Sequence, residues 1–166
     1  MKSNILIIGT VILADQLSKG LLLRMITGAW HWGGRALAIA PFPYMIARLT
    51  SWFNIVFTWN PGTAFSLLRE APGMAVIFIT AAIIGFLTYH LFARIKDGRE
   101  KLAMSLIVGG ALGNLIDRAR FGAVIDFVDW HAGTWHWPAF NVADACICAG
   151  AGLYLLIFIK QRKRNG

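Results

Sequence analysis

The sequence predicts a mainly α membrane protein: four transmembrane helices with a small extracytoplasmic β-sheet between helices 1 and 2. Composition is the first reason. Of 166 residues, 57% are hydrophobic and 14% charged, and the mean hydropathy is +0.60, whereas globular domains carry about 25% charged residues. The second is four apolar stretches, at residues 5–26, 73–92, 102–116 and 140–159, set against the roughly 20 helical residues that a bilayer core requires. The third is residues 52–66, which are rich in strand formers and then broken by Asn60-Pro61-Gly62, a turn signal.

Span one contains Asp15 and Lys19. Four residues apart on a helix, they share a face and can neutralise each other; a structural ion pair is the reading favoured here over direct chemistry. The same charges, and the lack of an Ala-x-Ala cleavage site, make this segment a retained span rather than a signal peptide. The outer loop that follows, residues 27–72, is too long to be a mere connector at about 45 residues. Span two is uninterrupted. Span three, the shortest, carries Gly109 and Gly113 with Asn114 beside them, a small-xxx-small face for close helix packing and an amide to bond across it. Asp117 and Arg118 are expected to end that span, as a salt bridge or a cap for loop backbone. Asp129 is expected to be a solvated loop residue, and Cys146 and Cys148 to be free, buried thiols.

Basic residues give the orientation. Arg94, Lys96, Arg99 and Lys101 crowd the connection between spans two and three, and Lys160, Arg162, Lys163 and Arg164 follow span four. Both groups read as cytoplasmic, which puts both termini inside and the connections after spans one and three outside. This arrangement also accounts for the net charge of +8 without nucleic-acid binding. All seven tryptophans then fall on the outer side, where an interfacial aromatic belt is the main expectation and substrate or lipid contact the alternative.

An ionisable group at membrane depth costs roughly 2.5 to 3.5 kcal/mol on insertion scales, so such residues are functional candidates. Asp126 and Asp144 are two of these, one just before and one just inside the last span. At 1.5 Å rise per residue, Asp144 is expected roughly 7 Å from the outer end of its helix, within reach of Asp126. Paired carboxylates cannot both ionise easily and share a proton. The ionised member can deprotonate water while the protonated one polarises a carbonyl. His31, His90, His131, His136, Cys146 and Cys148 show no metal-binding spacing, so no metal or other cofactor is expected. A serine elbow is also missing from the sequence.

Five motifs occur in order: Asp15-Gln16-Leu17-Ser18-Lys19, Asn60-Pro61-Gly62-Thr63-Ala64-Phe65, the stretch from Gly109 to Arg118, Val124-Ile125-Asp126-Phe127, and Pro138-Ala139-Phe140-Asn141-Val142-Ala143-Asp144. Through nearly its whole length the chain thereby resembles the lipoprotein signal peptidase (signal peptidase II) family, bacterial membrane aspartic endopeptidases. The resemblance implies Asp126 and Asp144 as catalytic residues, with Asp15, Lys19, Asn60, Gly62, Asn114, Asp117, Arg118, Asn141 and Ala143 binding substrate or supporting the site. It implies a single integral membrane peptidase domain over residues 1–166, acting as a monomer in the bacterial cytoplasmic (inner) membrane with its active site near the outer face. The implied partners are diacylglyceryl-modified prolipoproteins and membrane lipid, with cleavage before the lipidated cysteine. Residues 30–48 are the least typical part; a flap over the site and simple interface anchoring both stay open. Two other classes compete: a small ion- or proton-coupled transporter, which should line acids toward both faces, and a noncatalytic scaffold, which should tolerate Asp126→Asn.

Overall fold

The computed structural model describes residues 2–30, 44–61 and 73–165. Within them lie helices α1 (Lys2–Thr27), α2 (Gly73–Ala93), α3 (Gly98–Phe121) and α4 (Val142–Asn165) and strands β1 (Tyr44–Arg48), β2 (Phe53–Asn60), β3 (Val124–Ala132) and β4 (Trp135–His136). All four helices are long and apolar enough to cross a membrane. The strands form one antiparallel sheet in the order β1-β2-β3-β4. Two strands lie between helices 1 and 2 as expected, and the connection between α3 and α4 supplies the other two.

The third span differs most from its predicted bounds. Apolar character alone marks residues 102–116, yet the helix begins at Gly98 and ends at Phe121. At its start, the Asp97 side chain accepts a hydrogen bond from the Arg99 N–H and satisfies one of the free donors of the first turn. At its end the helix runs past Asp117 and Arg118 and closes at Gly122, whose φ of 80° only glycine adopts without strain. Asp117 therefore sits within the helix and not at its terminus, because its charge is buried and paired. The fourth span starts two residues later than predicted, since Phe140 exchanges backbone hydrogen bonds with Val128 of β3. Its basic tail remains helical through Asn165.

Helix α3 packs against the other three, and its small residues set the spacing. A Cβ on Gly109 would lie 2.9 Å from Val11 of α1, and one on Gly110 would run into the Ala143 carbonyl of α4. From the other side, a Cβ on Gly150 of α4 would lie 2.6 Å from the Ala103 carbonyl of α3. Lipid is as apolar as leucine, so these contacts hold through dispersion and not through a hydrophobic drive. Below them Leu91 and Ile95 of the α2 end pack on Met104 and Val108 of α3.

At the opposite end Leu22 and Leu23 of α1 pack against Phe57 and Ile125, seating the sheet on the bundle. Each such side chain contributes about 1.5–3 kcal/mol of burial if water is the reference. Trp59 joins this core, edge-on to Phe57 at 5.1 Å and against Phe121 at 5.6 Å, so it leaves the expected aromatic belt. Trp30, Trp52, Trp130, Trp135 and Trp137 remain exposed, and Trp32 lies outside the described residues. The cysteines are free, but Cys146 is only half-buried and Cys148 is exposed, so the expectation of buried thiols fails.

The tight glycine contacts have a measurable consequence. Gly110→Ala and Gly150→Ala each force backbone apart and are expected to lower stability by about 1–3 kcal/mol, while Gly152→Ala, with open space around its Cβ, leaves the thermal midpoint in detergent unchanged or slightly raised. Equal midpoints for all three would show that the helices are free to separate.

Candidate active site

Span one delivers Asp15, Gln16 and Lys19 to one face of α1, where they meet α3. The Lys19 ammonium lies 2.7 Å from Asp15 Oδ2, 2.8 Å from Asp117 Oδ2 and 3.2 Å from Asn114 Oδ1. Its three N–H groups thus have three acceptors, which a buried cation requires. Asp15 and Asp117 are fully buried as well. The predicted pair of Asp15 and Lys19 is therefore present, with Asp117 as a third charge.

The second oxygens and remaining lone pairs of these acids reach outward. Asp15 Oδ1 accepts from the Ala143 N–H at 2.9 Å, and Asp117 Oδ2 accepts from the Ile125 N–H at 3.2 Å. The first bond holds the start of α4 and the second holds the start of β3. Gly113 leaves the space this needs, since a Cβ there would stand 2.7 Å from Asp15 Oδ2.

Asp126 lies on β3 opposite Thr58 of β2 and is 2% exposed. Its Oδ1 accepts from Asn141 Nδ2 at 2.6 Å and its Oδ2 from Asn60 Nδ2 at 3.0 Å. Asp144 is the third residue of α4, two residues nearer the helix end than the sequence suggested, at a depth of about 3–5 Å. Its Oδ1 accepts from Asn114 Nδ2 at 2.8 Å. Asn141 joins the two acids: while its amide donates to Asp126, its Oδ1 accepts from the Asp144 backbone N–H at 2.9 Å and caps the helix.

Burial pushes the Asp126 carboxyl up to about 6, and the nearby charge of Asp144 adds to this against the amides of Asn60 and Asn141. Arg118, half-buried, stands in the field of Asp144, Asp126 and Asp117, and its Nε bonds nothing among the described residues.

The structure thus brings together Asp15, Lys19, Asn60, Asn114, Asp117, Arg118, Asp126, Asn141, Ala143 and Asp144 from five elements. Gly62 lies outside the described residues. Among the described residues no cluster of three His, Cys, Asp or Glu side chains could hold a metal ion. One participant was missed: Gln16 donates to Asp117 Oδ1 at 2.9 Å and to the Gly113 carbonyl at 3.1 Å, and accepts from Arg120 Nη1 at 2.7 Å. A neutral polar residue between two charges on an apolar helix was the available signal. Asp129 also departs from expectation. It is buried, and its carboxyl, despite that burial, is held below its usual range by hydrogen bonds from His136 and Asn54 at 2.8 Å each.

Comparison with known proteins shows the family of the chain. The lipoprotein signal peptidase of Janthinobacterium sp. (strain Marseille) is 39% identical over 153 residues, covering 90% of this chain and 83% of that protein. The lipoprotein signal peptidase of Burkholderia cenocepacia (strain HI2424) is 41% identical over 160 residues, covering 94% and 86%. A solved bacterial membrane enzyme, determined by the in meso method at 2.3 Å resolution, superposes with a TM-score of 0.78 at 26% identity, covering all of this chain and 93% of the other. Residues 7–160 match the family model described as signal peptidase (SPase) II, and the chain belongs to that family.

Proposed function

We propose that the chain is a membrane-embedded aspartic endopeptidase that removes signal peptides from diacylglyceryl-modified prolipoproteins, cutting before the lipidated cysteine. The observation that carries this is Asn141, whose one amide bonds the Asp126 carboxylate and the backbone of Asp144. Two acids from different elements are thereby held to one site at the end of the spans. Four carboxylates, those of Asp15, Asp117, Asp126 and Asp144, surround Lys19 and Arg118, with Arg120 at the rim. Full ionisation would leave negative charge uncompensated in an apolar shell, so Asp126 and Asp144 share a proton. The ionised carboxylate takes a proton from water as that water attacks the scissile carbonyl. The protonated one polarises the carbonyl and later donates to the departing amine. Asn60, Asn114 and Asn141 fix the carboxylate planes, and Arg118 stands in the field of both acids.

The described helices and sheet act as one peptidase domain in the bacterial inner membrane. Arg94, Lys96, Arg99 and Lys101 at one end of the bundle, with Arg162, Lys163 and Arg164 of α4, support a cytoplasmic placement of both termini. Asp126 and Asp144 are then at the outer face, where a lipid-anchored cysteine presents its peptide bond. The transporter reading has less support, because family membership points to a peptidase.

Purified protein with a diacylglyceryl-modified prolipoprotein tests this directly. Asp126→Asn and Asp144→Asn are each expected to lose at least about 100-fold in cleavage rate, and EDTA is expected to leave the wild type unaffected. Retained activity in either folded variant would remove that residue from the chemistry.

Protonation of Asp126 also links pH to stability. Its pKa in the fold, about 6, exceeds the ordinary value of about 3.9, so the folded state binds more protons than the unfolded between these limits. Stability is accordingly expected to fall as pH rises from about 4 to 6, by at most about 3 kcal/mol from this group, and to be flat in this term above 6. Asp126→Asn abolishes that slope whatever its constant offset; thermal midpoints of the two proteins from pH 4 to 7 that run parallel would contradict it.

A further inference from the structure

Gln16 lies half-buried at the edge of the Lys19 cluster, and both ends of its amide are engaged. The nitrogen donates to Asp117 Oδ1 at 2.9 Å and to the Gly113 carbonyl at 3.1 Å, with Asp15 Oδ2 at 3.2 Å, and the oxygen accepts from Arg120 Nη1 at 2.7 Å. A guanidinium donates and never accepts, so Arg120 selects the amide orientation in which the nitrogen faces the acids.

The two oxygens of Asp117 have unequal duties. Oδ2 serves Lys19 at 2.8 Å and the Ile125 N–H at 3.2 Å, whereas Oδ1 has Gln16 as its donor among the described residues. Without that donor an oxygen of a fully buried carboxylate would lack a partner, a cost that the group can relieve by rotating Oδ1 toward Lys19. Rotation would draw Oδ2 off the Ile125 N–H, the longer and weaker of its two bonds. Ile125 directly precedes Asp126. We propose that Gln16 is a positioning residue for Asp126: it locks the Asp117 carboxylate so that Oδ2 stays on the Ile125 N–H and the start of β3 stays in place.

Arg120 bears on Asp126 from a second direction. Its guanidinium lies over the Phe121 ring at 4.6 Å, and Phe121 packs against Trp59 of β2 at 5.6 Å. Trp59 in turn precedes Asn60, whose amide donates to Asp126 Oδ2. Gln16 and Arg120 thereby tie α1 to β3 through Asp117 and to β2 through Phe121. Residues of similar size do not reproduce this. Glutamate at position 16 would meet Arg120 but set a negative oxygen against Asp117 Oδ1, Asp15 Oδ2 and the Gly113 carbonyl. Methionine would fill the space and bond none of them. Gln16 bonds to neither Asp126 nor Asp144, so its effect on the acids is transmitted through Asp117 and the backbone.

Amide hydrogen exchange of the full chain in detergent, followed by NMR with labelled isoleucine and valine, tests this. The variants are Gln16→Met, which keeps the volume, and Gln16→Glu, which keeps the shape and the Arg120 contact. Exchange at the Ile125 amide is expected to quicken at least about 10-fold in both, while that of Val108, buried in the α2–α3 contact, is unchanged. In cleavage of a diacylglyceryl-modified prolipoprotein, the arm that rests on the peptidase reading, kcat is expected to fall roughly 10- to 100-fold with KM within about twofold of the wild type. Equal acceleration at Ile125 and Val108 would overturn the proposal and make Gln16 a general stabiliser of the bundle. An unchanged Ile125 amide in Gln16→Glu would overturn it too, since Asp117 would then not need the donor. A raised KM with unchanged kcat would do the same by placing Gln16 against the substrate. If the wild type cleaves nothing, the peptidase reading fails, and the exchange rates by themselves decide whether Gln16 positions Ile125.

Discussion

The Lys19 ammonium is the constraint on which the rest of this molecule depends. It sits with its three hydrogens directed at Asp15, Asp117 and Asn114, buried among the helices. Each partner draws on a different segment: Asp15 belongs to α1 and holds the backbone of Ala143 in α4, while Asp117 belongs to α3 and holds the backbone of Ile125 in β3. Removing one member of such a buried group typically costs about 3–5 kcal/mol, because the surviving charge loses its partner. Here the loss would not stay local. The two backbone bonds fix the starts of the elements that carry Asp144 and Asp126.

That electrostatic centre exists only because the helices come unusually close. A carboxylate is short, so Asp15 reaches the Ala143 N–H across the α1–α4 contact only where Gly113 offers no side chain. Gly110 likewise lets the Ala143 carbonyl approach α3. Small residues and buried charge thus form one device: the glycines bring backbones together, and the charges bond across the gap. In lipid, where apolar side chains gain little from each other, such polar bonds give the bundle a unique register.

The fold was legible where composition and period act alone. Long apolar runs specify spans, and the strand-rich run before Asn60 specifies β2. Limits appear where tertiary partners override local character. Polar Asp97, Arg99, Glu100 and Lys101 looked like connector, yet a side-chain cap extends α3 through them. Asp117 resembled a helix end because charge in an apolar stretch reads as a boundary, and only its partner Lys19, about a hundred residues earlier, makes it an interior residue. Asp129 looked solvated because β3 was invisible without β2: its burial follows from the pairing of Asn54 opposite Asp129. The ionisable residues of the candidate site were legible as outliers against an apolar background. Gln16 was passed over because a neutral amide is a weaker outlier, although it makes more contacts than several of the acids.

Asparagine at positions 114 and 141 follows from the need to keep two groups of acids separate. The inner group around Lys19 is a fixed charge cluster, and the outer pair, Asp126 and Asp144, is the one proposed to exchange a proton. Asn114 stands between them: its Oδ1 accepts from Lys19 and from Asn141 Nδ2, each at 3.2 Å, and its Nδ2 donates to Asp144. An amide orients both neighbours yet has no proton to release or take up at ordinary pH. A carboxylate there would add a further negative charge and offer the shared proton a route to Asp15 and Asp117. A lysine or arginine would supply donors only and repel Lys19. Asparagine, donor at one end and acceptor at the other, couples the clusters by geometry while isolating them in protonation. Asn114 is thus the side chain through which the position of the Lys19 cluster is passed to Asp144 and Asn141.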